Sequence, residues 1–237
     1  MGMDESFKNF ILSVFLLLVI IVFAVLGYGY YEFIQIVQSN PISEKVEKIM
    51  NQEHFVSYDE ISSHMINATA AIEDPDYFNH NGIQFSSNIN TLVSNYSNNT
   101  SDELDTTITQ QVARYLYALN PDNFIEKVSE MFLVFELEQQ SSKQDILAIY
   151  LNILNYGDGY SGIRAATKGY YKKTPIEIGL DEASLLAAIP ISPESYQLSN
   201  HHKEAKERQK SVLKAMIECN MLTKDEKNYV KNTYGIE

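Results

Sequence analysis

The chain has 237 residues, 45% hydrophobic and 21% charged, with a formal net charge of −13. That apolar content excludes the disordered class, and the acidic excess leaves no basic stripe to neutralise phosphates, so no nucleic-acid partner is expected. The single cysteine, Cys219, excludes an internal disulfide framework and a thiolate metal site.

No charge occurs between Lys8 and Glu32, and residues 10–31 are almost wholly apolar. That length matches the roughly 20 residues a helix needs to cross a bilayer. A cleavable signal peptide carries a shorter apolar core and a small-residue cleavage site, which Ala24-Val25-Leu26-Gly27 does not supply. The expectation is an uncleaved, single-pass anchor over 10–31, with a cytoplasmic tail at 1–9 and a juxtamembrane segment at 32–60. Tyr28, Tyr30, Tyr31 and Phe33 suit an interfacial aromatic belt. Lys8 on one side and Glu32 on the other favour placing the remaining chain outside the cell membrane.

Helical periodicity dominates beyond the anchor. The polar run at 94–103 predicts a loop. Ile125, Val128, Phe132 and Phe135 recur at helical spacing and predict one buried face. Ser142 with Asp145 resembles a capping box, Asp181 is placed to cap the helix through Ala188, and Pro190 and Pro193 to end it. Asn200 is placed to cap the helix carrying Val212, Leu213, Met216 and Ile217, and Thr223 with Glu226 opens a last one. Strand-like alternation is scarce, so the fold class is mainly α.

Three constellations can carry chemistry. Glu73-Asp74 follows a small, apolar helical run and precedes Tyr77, Phe78, His80 and Gly82. A carboxylate at the end of such a helix is partly desolvated, which suits a general base, while a plain helix end entering a polar turn has the same pattern. Thr106-Thr107-Ile108-Thr109-Gln110-Gln111 packs hydroxyls and amides at a helix start, where they either bind an anion or sugar or simply cap the helix. Glu126 and Glu130 are four apart and repel; they form an acid/base pair, a cation site or a solvated face. Ser211-Val212-Leu213-Lys214, His201-His202 and Cys219 read as helix surface, helix start and apolar filler.

Taken in order, these segments resemble the peptidoglycan glycosyltransferases, glycosyltransferase family 51. The family's Glu-Asp-x-x-Phe-x-x-His-x-Gly is Glu73-Asp74-Pro75-Asp76-Tyr77-Phe78-Asn79-His80-Asn81-Gly82 here. Its Gly-Gly-Ser-Thr-Ile-Thr-Gln-Gln is Leu104-Asp105-Thr106-Thr107-Ile108-Thr109-Gln110-Gln111, and its Arg-Lys-x-x-Glu is Glu126-Lys127-Val128-Ser129-Glu130. Ile146-Leu147-Ala148-Ile149-Tyr150-Leu151-Asn152 and Glu182-Ala183-Ser184-Leu185-Leu186-Ala187-Ala188-Ile189-Pro190 match the fourth and fifth motifs. The resemblance implies a lysozyme-like, helical, two-lobed glycosyltransferase domain over 61–237. It also implies polymerisation of lipid II into glycan strands with release of undecaprenyl pyrophosphate and inversion, without a required cofactor. By position, Glu73 is the general base and Glu130 assists at the donor; Asp74, His80, Thr107, Gln110, Gln111, Arg114, Lys127 and Asn152 bind substrate. Lipid II, the growing strand, the membrane and penicillin-binding transpeptidases are the implied partners.

Several basic family positions are acidic here: Asp76, Glu126 and, in a loop, Asp122. An acid in place of Arg reverses charge and loses a bidentate phosphate partner. Three readings follow: a divergent polymerase, a degenerate paralogue acting as scaffold or regulator, and an enzyme in which Asp76, Asp122, Glu126 and Glu130 gather Mg or Mn. Glycan hydrolysis by paired carboxylates is a further class, disfavoured by the Thr-Ile-Thr-Gln-Gln element and the anchor.

Overall fold

The computed structural model describes residues 5–83, 106–120 and 123–236. The loop expected at 94–103, Leu104, Asp105 and Asp122 lie outside the described residues. Within them all regular structure is helical, apart from one isolated bridge between Asn155 and Ser161. The mainly α class expected from periodicity is the one observed.

Helix α1 (Glu5–Ser39) is long and apolar enough to cross a membrane, and its most apolar stretch is unburied. It passes residue 31 without a break, and its last turns dock on the domain. Gly29 sits so close to Val128 that any side chain there would collide. Tyr30 and Phe33 place their rings 5.3 and 6.0 Å from that of Phe132. Phe33, assigned to the interfacial belt from sequence, is therefore buried in the core, whereas Tyr28, Tyr30 and Tyr31 stay exposed.

Helix α2 (Ile42–Met50) buries Ile42, Val46 and Ile49, one helical stripe, so the core already includes residues well before 61. A 3₁₀ turn (Tyr58–Glu60) leads to α3 (Ser63–Glu73), which Ser62 caps. Then come α4 (Ile108–Tyr117), α5 (Phe124–Gln140), α6 (Lys143–Ile153), α7 (Ile163–Tyr171), α8 (Leu180–Ala187), the single turn α9 (Pro193–Tyr196), α10 (His202–Glu218) and α11 (Lys224–Tyr234). In α6, six consecutive residues from Ile146 to Leu151 are buried, so this helix is enclosed rather than one-faced. Helices α2, α4 and α7 pack on α6; α4 and α1 pack on α5; α3, α8 and α10 pack on one another.

Ser142 and Thr223 cap their helices as the sequence indicated. Four expectations need correction. On α5 Val128 is buried and Phe132 packs on the core as expected, but the buried side also runs through Glu130, Leu133, Val134 and Leu137, and Phe135 is 54% exposed. Hydrophobicity alone missed this side because polar Ser129 and Glu130 belong to it. Helix α8 begins at Leu180 with Gly179 as its cap, whose N–H the Glu182 carboxylate accepts. Asp181 lies inside the first turn and instead accepts from the Tyr229 and Tyr234 hydroxyls at 2.7 and 2.8 Å, tying α11 to α8. The α8 helix stops at Ala187, before either proline, and Pro193 opens α9. His201, not Asn200, is the N-cap of α10.

His64 on α3 meets Glu226 on α11 at 2.7 Å. This bond, with those from the Thr223 hydroxyl and amide, draws the Glu226 carboxyl down to about 2. A carboxyl depressed on folding stabilises the native state above its unfolded value, and that contribution fades as pH falls toward 2. The urea midpoint should therefore drop between pH 5 and pH 3, and Glu226→Gln should shrink the drop.

Candidate active site

Pro75 disfavours helical backbone at the residue before it, so α3 ends at Glu73 and Asp74 turns away with φ −159°. The two neighbouring acids thereby serve different surroundings. Asp74 is buried; its carboxylate accepts from His80 Nε2 at 2.8 Å and from the Ile108 N–H at 3.1 Å. The second bond places an anion at the first turn of α4, where the helix dipole favours it. His80 Nδ1 accepts the Gly82 N–H at 3.0 Å, so the ring proton sits on Nε2 and is donated to Asp74. Gly82 has φ +82°, and an added Cβ would lie 2.6 Å from Val134, so only glycine fits there. The Gly82 carbonyl accepts the Thr107 hydroxyl at 2.6 Å. The His80 segment is thus folded onto the start of α4.

Thr107 caps α4, and the Gln110 side chain returns the bond to the Thr107 N–H. The capping reading of these residues holds. Beyond the cap, Gln110, Gln111 and Arg114 project from neighbouring positions of α4 toward two acids. Gln111 Nε2 donates to Glu73 Oε2 at 3.1 Å, and the Tyr150 hydroxyl lies 3.0 Å from the same oxygen and 3.2 Å from the Gln111 carbonyl. Burial, then the Glu73 charge, hold the Tyr150 hydroxyl well above the ordinary tyrosine range, so it remains a donor. Burial and the Glu73 charge also push Tyr156 up. Both bonds fall on Glu73 Oε2, and among the described residues none falls on Oε1.

On the other side of α4, Glu130 is 2% exposed and grips the Arg114 guanidinium, Oε1 to Nε at 2.8 Å and Oε2 to Nη2 at 3.4 Å. Gln110 Nε2 is 3.5 Å from Oε1, at the limit of a bond. The i,i+4 repulsion expected with Glu126 is relieved because Glu126 is exposed and accepts from Asn123 at 2.7 Å, while Glu130 points inward to its arginine. Glu138 accepts from Thr109 and from Lys143 Nζ at 2.7 Å; that ammonium also lies 4.3 Å from the centre of the Tyr77 ring.

Lys127 is exposed on α5. The Asn152 side chain is committed to the Val56 backbone, donating to its carbonyl at 2.8 Å and accepting its N–H at 2.9 Å. Asp76 is exposed near Cys219, where burial first and then the Glu218 and Asp76 charges hold the thiol above its usual value. Among the described residues no three His, Cys, Asp or Glu side chains converge to hold a metal, and Asp122 lies outside them. The residue missed from sequence is Tyr150. Its signal was a phenol inside an otherwise apolar helix, since a buried tyrosine hydroxyl needs a partner.

Comparison with known proteins adds an independent observation. A family model described as transglycosylase matches residues 39–217. The chain is 34% identical to penicillin-binding protein 1A of Aquifex aeolicus over 177 residues, 75% of this chain and 24% of that protein. It is 33% identical to penicillin-binding protein 2D of Bacillus subtilis over 172 residues, 73% of this chain and 25% of that protein. It is 32% identical to penicillin-binding protein 1A of Neisseria gonorrhoeae over 166 residues, 70% of this chain and 21% of that protein. The aligned region thus spans about a quarter of the length of these relatives.

Proposed function

The chain belongs to the transglycosylase family, and on that premise we propose that it is a membrane-anchored peptidoglycan glycosyltransferase, polymerising lipid II on the outer side of the cell membrane. The observation that carries the reading is a pair of acids with separate partners: Glu73, at the end of α3, is held by Gln111 of α4 and Tyr150 of α6, and Glu130, on α5, by Arg114 of α4. Each has donors of its own, so the two serve separate ends of one reaction.

In this reading the acceptor 4-hydroxyl gives its proton to Glu73 Oε1 as its oxygen bonds to the donor's anomeric carbon. The bond from that carbon to the pyrophosphate oxygen breaks on the opposite face, which inverts the centre. Negative charge grows on the leaving undecaprenyl pyrophosphate. To that charge the reading assigns two cations, Arg114, oriented by Glu130, and exposed Lys127. Asp74, His80 and Thr107 hold the loop and the α4 start in place, and Gln110 and Gln111 present amides to the sugars. The reaction as written needs no metal, and among the described residues Asp76 and Glu126 do not converge with a third ligand to hold one.

The full-length chain in detergent should consume purified lipid II and release undecaprenyl pyrophosphate. Intact lipid II after incubation would favour the scaffold reading that the acidic replacements Asp76 and Glu126 suggest. Tyr150→Phe removes one donor to the charged Glu73, a bond worth about 1.5–3 kcal/mol, so turnover should fall about 10- to 100-fold with little change in KM. An unchanged turnover number would detach Tyr150 from the chemistry.

A further inference from the structure

A cavity of 390 Å³ opens between the ends of α2, α4 and α6 and the first turns of α7. Arg164 and Lys168, one turn apart on α7, line it together with His54, and no carboxylate does. In a chain with 31 acidic and 18 basic residues, such a wall reverses the prevailing charge. The guanidinium is fixed, because Arg164 donates to the carbonyls of His54 and Phe55 at 3.2 and 3.1 Å. Glu60, whose carboxyl feels the Arg164 charge, is itself bonded to the Ser57 hydroxyl and amide. Lys168 has no ion pair among the described residues. Gly162 precedes α7 without a side chain to cap it, and its φ of +79° and its closeness to the Asn152 carbonyl exclude a larger residue. The lining also carries an apolar portion, with Phe55, Tyr115 and Ile153.

The cavity shares α4 with the site already described: Tyr115 is one turn along α4 from Gln111, a rise of about 6 Å. We propose that this cavity binds a carboxylate on the peptide branch of the sugar substrate, with Arg164, Lys168 and the α7 amides on the anion and the apolar portion on the peptide. The assignment rests on the glycosyltransferase reading for its choice of ligand. A peptide branch fits better than inorganic phosphate because a compact anion leaves the apolar portion uncovered, and because the substrate's pyrophosphate already has Arg114.

The test is equilibrium binding of a soluble disaccharide-pentapeptide to the full-length chain in detergent, with the same compound carrying amidated carboxylates as comparison. The free-acid ligand should bind on the order of tenfold more weakly to Lys168→Glu than to the unaltered chain, with Lys168→Gln between them. The amidated ligand should bind all three proteins alike. Equal binding of both ligands to the unaltered chain, or no effect of Lys168→Glu, overturns the assignment. Displacement of the disaccharide-pentapeptide by inorganic phosphate at equal concentration would also overturn it, by revealing a site for any anion. Lipid II turnover measured on the same preparations separates the two ideas: turnover without carboxylate discrimination removes only the cavity assignment, and discrimination without turnover removes only the enzyme reading.

Discussion

Glu73→Gln should abolish glycan polymerisation while leaving the fold intact. The replacement keeps the shape of the side chain, and its carbonyl oxygen still accepts from Gln111 Nε2 and the Tyr150 hydroxyl, so neither buried donor is orphaned. What disappears is the oxygen able to accept a proton. A positioned general base contributes about 10²- to 10⁴-fold, and turnover of lipid II should fall by that factor with an unaltered urea midpoint. A loss below tenfold would mean that another group takes the hydroxyl proton.

Asp74→Ala should be among the most damaging single changes to stability. Two donors, the half-buried His80 Nε2 and the buried Ile108 N–H, lose their acceptor together. Leaving a buried donor unsatisfied costs about 1–3 kcal/mol each, so the total should reach about 2–6 kcal/mol, measurable as a shift in urea-unfolding free energy. Asp74→Asn keeps one acceptor oxygen for the Ile108 N–H and should lose less. If both variants unfold like the parent, the link between the His80 loop and α4 has no energetic role.

The parts of this molecule that were legible in the sequence are local. The anchor is a run of apolar residues, and the caps at Ser142, Thr107 and Thr223 are set by residues within three positions. Glu73 at the end of a small, apolar helix followed by Pro75 is likewise a local pattern. The Asp181 and Asn200 assignments failed locally too, because a glycine backbone and a histidine served as caps where side-chain chemistry pointed elsewhere. What stayed hidden joins distant positions. Tyr150 reaches Glu73 across 77 residues, and Asn152 braces Val56 across 96. The Arg114–Glu130 pair explains why an acid can occupy the buried side of α5. A buried carboxylate with a bidentate arginine is tolerated where an unpaired one is not, and hydrophobic periodicity carries no information about such a partner. The motif order supplied the candidate site residues; the separate donors around Glu73 and Glu130 came only from the three-dimensional arrangement.

The central claim is that Glu73 activates a sugar hydroxyl rather than water. Mass spectrometry of the products from lipid II, made by the full-length chain in EDTA, examines it directly. The arrangement described here predicts oligomers of disaccharide-peptide units, each chain still bearing one lipid pyrophosphate, with one undecaprenyl pyrophosphate released per bond formed. Free reducing disaccharide-peptide, the product of attack by water, or lipid II recovered unchanged, would contradict it.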